Sequence, residues 1–84
     1  RGVCGTAWQE RKTLVVDDVE AFPGHIACSS LSRSEIVVPV MLDGVMLGEI
    51  DIDSTECATF DDTDREYLEQ MAQAIAPCMQ PLAL

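Results

Sequence analysis

The stretch that most constrains the fold runs from Ser34 to Thr55. Two apolar, β-branched runs, Ile36–Met41 and Val45–Asp53, flank a turn signal at Asp43-Gly44, the pattern of a β-hairpin. Two registers compete. A two-residue turn pairs Glu35 with Ile52 and mixes polar and apolar side chains on both faces. A three-residue loop, Leu42-Asp43-Gly44, puts Gly44 at the left-handed bulge position and pairs Glu35 with Asp51. That register collects Ile36, Val38, Val40, Met46, Ile50 and Ile52 on one face and Glu35, Glu49, Asp51 and Asp53 on the other. A one-residue slip would destroy the separation, so the three-residue loop is expected. Pro39 donates no ladder hydrogen bond and should face away from a partner strand or sit at a bulge. The acidic face has a plain reading as the solvated side of a half-buried strand. Like charges directly across a ladder are destabilising, however, and a Glu35–Asp51 pair makes more sense if it serves a ligand.

The rest of the chain supplies what covers this hairpin. Gly2 to Arg11 reads as a glycine-rich turn entering a short helix, with Gly5 or Thr6 near its cap. Cys4 then stands at the helix entrance, where the dipole favours a thiolate; a small apolar residue packed at a turn is the other reading. Trp8 is expected in the core or at a dimer contact. Thr13–Val16 is a short strand stopped by Asp17-Asp18. Residues 17 to 34 form a long connection holding His25 and Cys28, and such connections are often functional. His25 and Cys28 make an H-x-x-C pair with no second half, so no metal site is expected. The segment from Thr59 to Asp64 opens the main helix, capped by Asp61 or Thr59. Leu68, Met71, Ala72, Ile75 and Met79 give it an apolar stripe, and Pro77 kinks or ends it.

Composition excludes several partners. The 84 residues carry a net charge of −10, which opposes binding to nucleic acid or to an anionic membrane surface. No apolar run approaches the roughly 20 residues of a membrane span. The four cysteines, Cys4, Cys28, Cys57 and Cys78, form no C-x-x-C pair. With no signal segment in view, a reducing, cytoplasmic setting is expected. A chain this size buries only roughly 60% of its unfolded surface. It opens at Arg1 directly into a helix start, so the expectation is a truncated domain lacking earlier strands, prone to pair with a second copy.

Four blocks carry a resemblance: G-V-C-G-T-A at the start, G-H-I-A-C through Cys28, S-E-I-V-x-P from Ser34, and G-x-x-D-I-D-S-T from Gly48. Their order and spacing resemble the free methionine-R-sulfoxide reductases, enzymes with a GAF fold, from Arg1 to about Leu68. The resemblance implies an α+β fold, a GAF-type antiparallel sheet with flanking helices, of which residues 1–84 are the C-terminal part. It implies Cys28 as nucleophile, Cys4 as a second cysteine able to take part in disulfide resolution, and Glu35, Asp51 and Asp53 as catalytic and substrate-binding carboxylates. Cys57 and Cys78 match no family block and are read as packing residues. The family's main resolving cysteine and its pocket aromatics would fall before Arg1. No cofactor is implied; the partners implied are free methionine sulfoxide and a thioredoxin-like reductant.

These residues suit the chemistry. A thiolate attacks the sulfoxide sulfur, and an acid that is neutral near pH 7 protonates the oxygen. Two other classes compete. Asp51-Ile52-Asp53-Ser54-Thr55 fits the D-x-D-x-T nucleophile motif of haloacid-dehalogenase-type phosphatases, but it ends an antiparallel hairpin instead of the first strand of a parallel sheet, and the reading is rejected. A non-catalytic GAF sensor of small molecules is the alternative that stands.

Overall fold

The computed structural model describes residues 2–22 and 32–79. Its elements are α1 (Val3–Glu10), β1 (Leu14–Val16), a 3-10 turn (Val19–Ala21), β2 (Ser34–Leu42), β3 (Val45–Ser54), α2 (Asp62–Ile75) and a closing 3-10 turn (Ala76–Met79). The three strands form one antiparallel sheet in the order β1-β2-β3.

β2 is the centre of the fold. Strand side chains alternate between the two faces of a sheet, and both faces of this strand are covered. On one face Val37 packs with Val16, Val19, Val3 and Ala7. On the other, Ile36, Val38 and Val40 pack with Ala72 and Ala76. The result is an α/β/α sandwich with α1 and α2 on opposite sides of the sheet. A strand covered on both sides should be apolar throughout. Ser34 and Glu35, buried side by side at the start of that strand, are the exceptions, and Glu35, 7% exposed, is the charged one.

The hairpin register differs from both sequence alternatives. Leu42 pairs with Val45 and Met41 with Met46 around a two-residue Asp43-Gly44 turn. Both turn residues have positive φ, 53° and 79°, as a primed hairpin turn requires. A bulge between Val40 and Met41 then shifts the ladder, so that Val40 meets Gly48, Val37 meets Asp51 and Glu35 meets Asp53. Leu47 is the extra residue, and it, not Met46, packs against the Ile36 cluster. The expected pairing of Glu35 with Asp51 is therefore off by two residues. A slip of two leaves every side chain on its face, so the separation into an apolar and an acidic face survives for residues 35 to 40 and 48 to 53. Pro39 lies next to the bulge, and the partner strand β1 stops opposite Val37.

The helices follow local chemistry with several corrections. α1 is capped by Gly2, not by Gly5 or Thr6, and ends at Arg11 with φ 58°; Cys4 lies inside its first turn. Trp8 is 47% exposed, so it is no core residue. α2 opens on a capping box in which Asp61 and Asp64 bond each other's backbone N–H groups. Of its expected stripe, Leu68 and Ala72 reach the core. Met71, Ile75 and Met79 stay exposed, beside Tyr67. The helix passes into the 3-10 turn at Ala76, one residue before Pro77. No described helix is long and apolar enough to cross a membrane.

Candidate functional site

The site grows from the acidic face of the hairpin where α1 crosses it. Glu35 leaves β2 toward α1, with Val16 on one side and Asp53 on the other. Asp51, one step along β3, is its diagonal neighbour, within reach of a long side chain. The first turn of α1 lays Cys4 over both acids. Cys4 Sγ donates to Asp51 Oδ2 at 2.8 Å and lies 3.8 Å from Glu35 Oε2. One carboxyl oxygen of Glu35 lies within 4.8 Å of one of Asp51. Carboxyls that close resist ionising together, which favours one of them keeping its proton.

The electrostatics agree with that protonation. Burial, then the hydrogen bond and charge of Asp51, then the charge of Asp53 push the Glu35 carboxyl up to about 8, against a small opposing effect of the Cys4 hydrogen bond. Glu49, further along the same face, is also raised, first by burial and then by Asp51. Its Oε2 is enclosed without a hydrogen-bond partner among the described residues. Cys4 shows the largest displacement. Burial, the bond to Asp51 and the charges of Asp51, Glu35 and Glu49 all push its thiol far upward. Cys4 also packs against the Val3, Ala7 and Val37 cluster, so of the two readings at the helix entrance the surroundings favour the packed residue over the thiolate. A helix dipole supplies only about 0.3–1 kcal/mol, and here it meets desolvation and three carboxyls acting together.

Neighbouring polar groups fix the hairpin end. Ser32 Oγ donates to Asp53 Oδ1 at 3.2 Å. Ser34 is fully buried and donates to the carbonyl of Glu56, tying the start of β2 to the loop after β3. Thr59 Oγ1 lies 2.6 Å from Ser54 Oγ. Ser32 was not singled out in the sequence, and Ser34, which opens the S-E-I-V block, was given no role of its own. Cys28 and His25 lie outside the described residues. Cys57 and Cys78, expected to pack, are exposed free thiols: one follows the end of β3 and the other is in the closing 3-10 turn, both outside the core.

Donor atoms of Cys4, Glu35 and Asp51 lie within 4.8 Å of one another. The S–H···O contacts of Cys4 with both acids account for the spacing, and a thiol donating to two crowded carboxyls suits proton handling better than a cation.

The sequence profile of the GAF domain family matches residues 1–80. This chain belongs to the GAF domain family. It is 57% identical over 75 residues to GAF domain-containing protein A of Dictyostelium discoideum, covering 89% of this chain and 48% of that protein. It is 50% identical over 76 residues to the free methionine-R-sulfoxide reductase of Saccharomyces cerevisiae, covering 89% and 42%. Among solved structures, the free methionine-R-sulfoxide reductase of Neisseria meningitidis in complex with its substrate superposes with a TM-score of 0.90 at 54% identity, covering 94% of this chain and 47% of that one. The chain thus spans about half the length of the curated relatives it matches. The α+β GAF fold and the likeness to free methionine-R-sulfoxide reductases agree with the sequence reading.

The raised acids set a pH dependence of folding. A carboxyl whose folded value lies above its unfolded value stabilises the fold fully below the unfolded value, and that contribution is lost as pH rises through the folded one. For Glu35 the window runs from its ordinary 4.5 to about 8, and Glu49 acts in the same direction. The urea midpoint should fall between pH 5 and pH 8, and Glu35→Gln should fall less over the same interval. Equal slopes in the two proteins would show that Glu35 carries no excess proton.

Proposed function

We propose that this chain takes part in reducing free methionine-R-sulfoxide to methionine, with Cys28 as nucleophile and Glu35, Asp51 and Asp53 as the acids around the substrate. The observation that carries the reading is Glu35. It is a buried carboxyl, crowded by Asp51 and pushed up to about 8, in a chain similar to proteins named for this activity.

Such an acid can deliver a proton at neutral pH. The Cys28 thiolate attacks the sulfoxide sulfur, and Glu35 protonates the oxygen. The oxygen passes to Cys28 as a sulfenic acid, two electrons pass to the sulfoxide, and methionine leaves as the thioether. A second thiol condenses with the sulfenic acid, releasing water, and a thioredoxin-like dithiol reopens the disulfide. Asp51 and Asp53 give the α-ammonium of a free amino acid an anionic partner. A methionine inside a peptide lacks that cation, which accounts for selectivity for the free form. In this reading residues 1–84 are the C-terminal part of one GAF domain working in the cytoplasm, and the exposed Tyr67, Met71 and Ile75 are open to a second copy.

The test is sulfenic-acid trapping. One equivalent of methionine-R-sulfoxide should label Cys28 first, mapped by mass spectrometry in the intact protein. Labelling mainly at the exposed Cys57 or Cys78, or no consumption of sulfoxide, would overturn the reading in favour of a GAF domain that binds small molecules without turning them over.

A further inference from the structure

Cys4 is built into the acid site more tightly than a resolving thiol should be. A thiol attacks a sulfenic acid or a disulfide as its thiolate. Here the sulfur faces Glu35 from β2 and Asp51 and Glu49 from β3, each opposing ionisation. The third acid of β3, Asp53, faces Glu35 and is bonded by Ser32. The segment of β1 that borders Glu35 is Leu14, Val15 and Val16, which supplies no cation. Val3 and Ala7, the neighbours of Cys4 on the buried face of α1, are apolar.

The bond lengths show what the thiol does in this setting. Both carboxyls lie within reach of its hydrogen, and the contact to Asp51 Oδ2, 2.8 Å, is much shorter than that to Glu35 Oε2, 3.8 Å, which makes Asp51 the favoured acceptor. Two carboxyls within 4.8 Å of each other resist ionising together, and the proton they keep could sit on either. A donor aimed at one of them favours the charged form of that one, so the shared proton resides on the other.

We propose that Cys4 is a positioning residue of the acid site, whose S–H, donated to Asp51, keeps Asp51 as the anion and leaves the shared proton on Glu35. The proposal rests on the reductase reading for its consequence, because it makes Glu35 the acid and Asp51 the ammonium partner. It gives the thiol no redox step, and disulfide resolution then falls to another cysteine.

Serine keeps the donor and removes the sulfur, whereas alanine removes both. The experiment compares the intact wild-type protein with Cys4→Ser and Cys4→Ala. It follows the side-chain carboxyl carbons of Glu35 and Asp51 by NMR across pH, together with steady-state reduction of methionine-R-sulfoxide. In Cys4→Ala the lower ionisation of the pair, the step that creates the Asp51 anion, should move to higher pH by roughly half to one unit, the worth of one weak hydrogen bond. Part of the amplitude of the upper step should pass from Glu35 to Asp51, since the steps belong to the pair. kcat/KM should fall roughly fivefold on the same basis. Cys4→Ser should restore both the titration and most of the rate. An unmoved titration in Cys4→Ala, or a Cys4→Ser protein that behaves like Cys4→Ala, would overturn the proposal. So would loss of multiple turnover in both variants with the first turnover intact and a Cys4–Cys28 disulfide in the oxidised wild-type protein. If the wild-type protein reduces no sulfoxide, the reductase reading fails, while the titration still decides the role of Cys4.

Discussion

Exchanging Glu35 for Gln should slow single-turnover reduction of methionine-R-sulfoxide at pH 7 by roughly 10²- to 10⁴-fold, the range that general acid–base catalysis contributes. Gln has nearly the same shape and can keep a hydrogen bond to Asp51, but it has no acidic proton to give. The side chain is only 7% exposed, so bulk water is a poor substitute donor. Loss of fold does not explain the expected result. Glu35 is a buried acid held above its ordinary value, and a neutral isostere removes a group whose ionised form opposes folding at neutral pH. Rapid-quench measurement of methionine formed per protein checks the rate, and the urea midpoint at pH 8 checks the fold. A rate within threefold of wild type would assign the proton to another donor, with His25, three residues before Cys28 in the sequence, the first candidate.

How far this site was legible in the sequence depends on which property is asked for. The faces of the hairpin were legible because side chains alternate with period two. Ile36 and Val38 could be set against Glu35 and Asp51 with no knowledge of the turn. The register was not legible. The Asp43-Gly44 turn holds two residues and the bulge inserts Leu47, and their combined effect moves Glu35 from Asp51 to Asp53. An offset of two preserves the hydrophobic pattern, so the pattern carries no information against it. The pairing of charges inferred from the wrong register nevertheless survives in another form, because Asp51 reaches Glu35 along the diagonal.

The acids beneath Cys4 were not legible for a related reason. Local sequence signals the start of a helix and the dipole that goes with it, but not what lies beneath the first turn. α1 begins at Val3, so Val3 and Ala7 point into the core and Cys4 comes down on the acidic face. Burial and neighbouring carboxyls outweigh the dipole. Along α2, helical spacing identified the apolar stripe but not its buried width. β2 contacts the helix through Leu68, Ala72 and Ala76, whose small alanines let helix and sheet approach closely. Met71 and Ile75 lie to the side, outside that contact.

Asp51→Asn should lower kcat/KM for free methionine-R-sulfoxide by roughly 10- to 100-fold, the worth of a hydrogen bond to a charged group, and it should change the shape of the pH profile. Asp51 accepts the Cys4 thiol and its charge helps keep the proton on Glu35; in the proposed reading it also offers an anion to the substrate ammonium. Asn keeps the size and one acceptor but removes the charge. With that charge gone, ionising Glu35 costs less. Its value should drop below the present value of about 8, and the acid should be lost at lower pH. The alkaline limb of the rate profile therefore moves down, while burial and the charge of Asp53 keep it above the ordinary carboxylate range. The deficit against wild type should be smaller at pH 5.5 than at pH 8, because at low pH both proteins hold the proton and only the ammonium contact differs. Glu49→Gln provides the contrast. Glu49 lies on the same face of β3 but pairs with Pro39, on the far side of Asp51 from Asp53, so its rate should stay within about threefold of wild type, the scale of one weak contact. Equal losses from Asp51→Asn and Glu49→Gln would reduce the carboxylates to a diffuse negative surface. An unmoved alkaline limb in Asp51→Asn would show that the proton limiting the reaction is not the one Glu35 shares with Asp51.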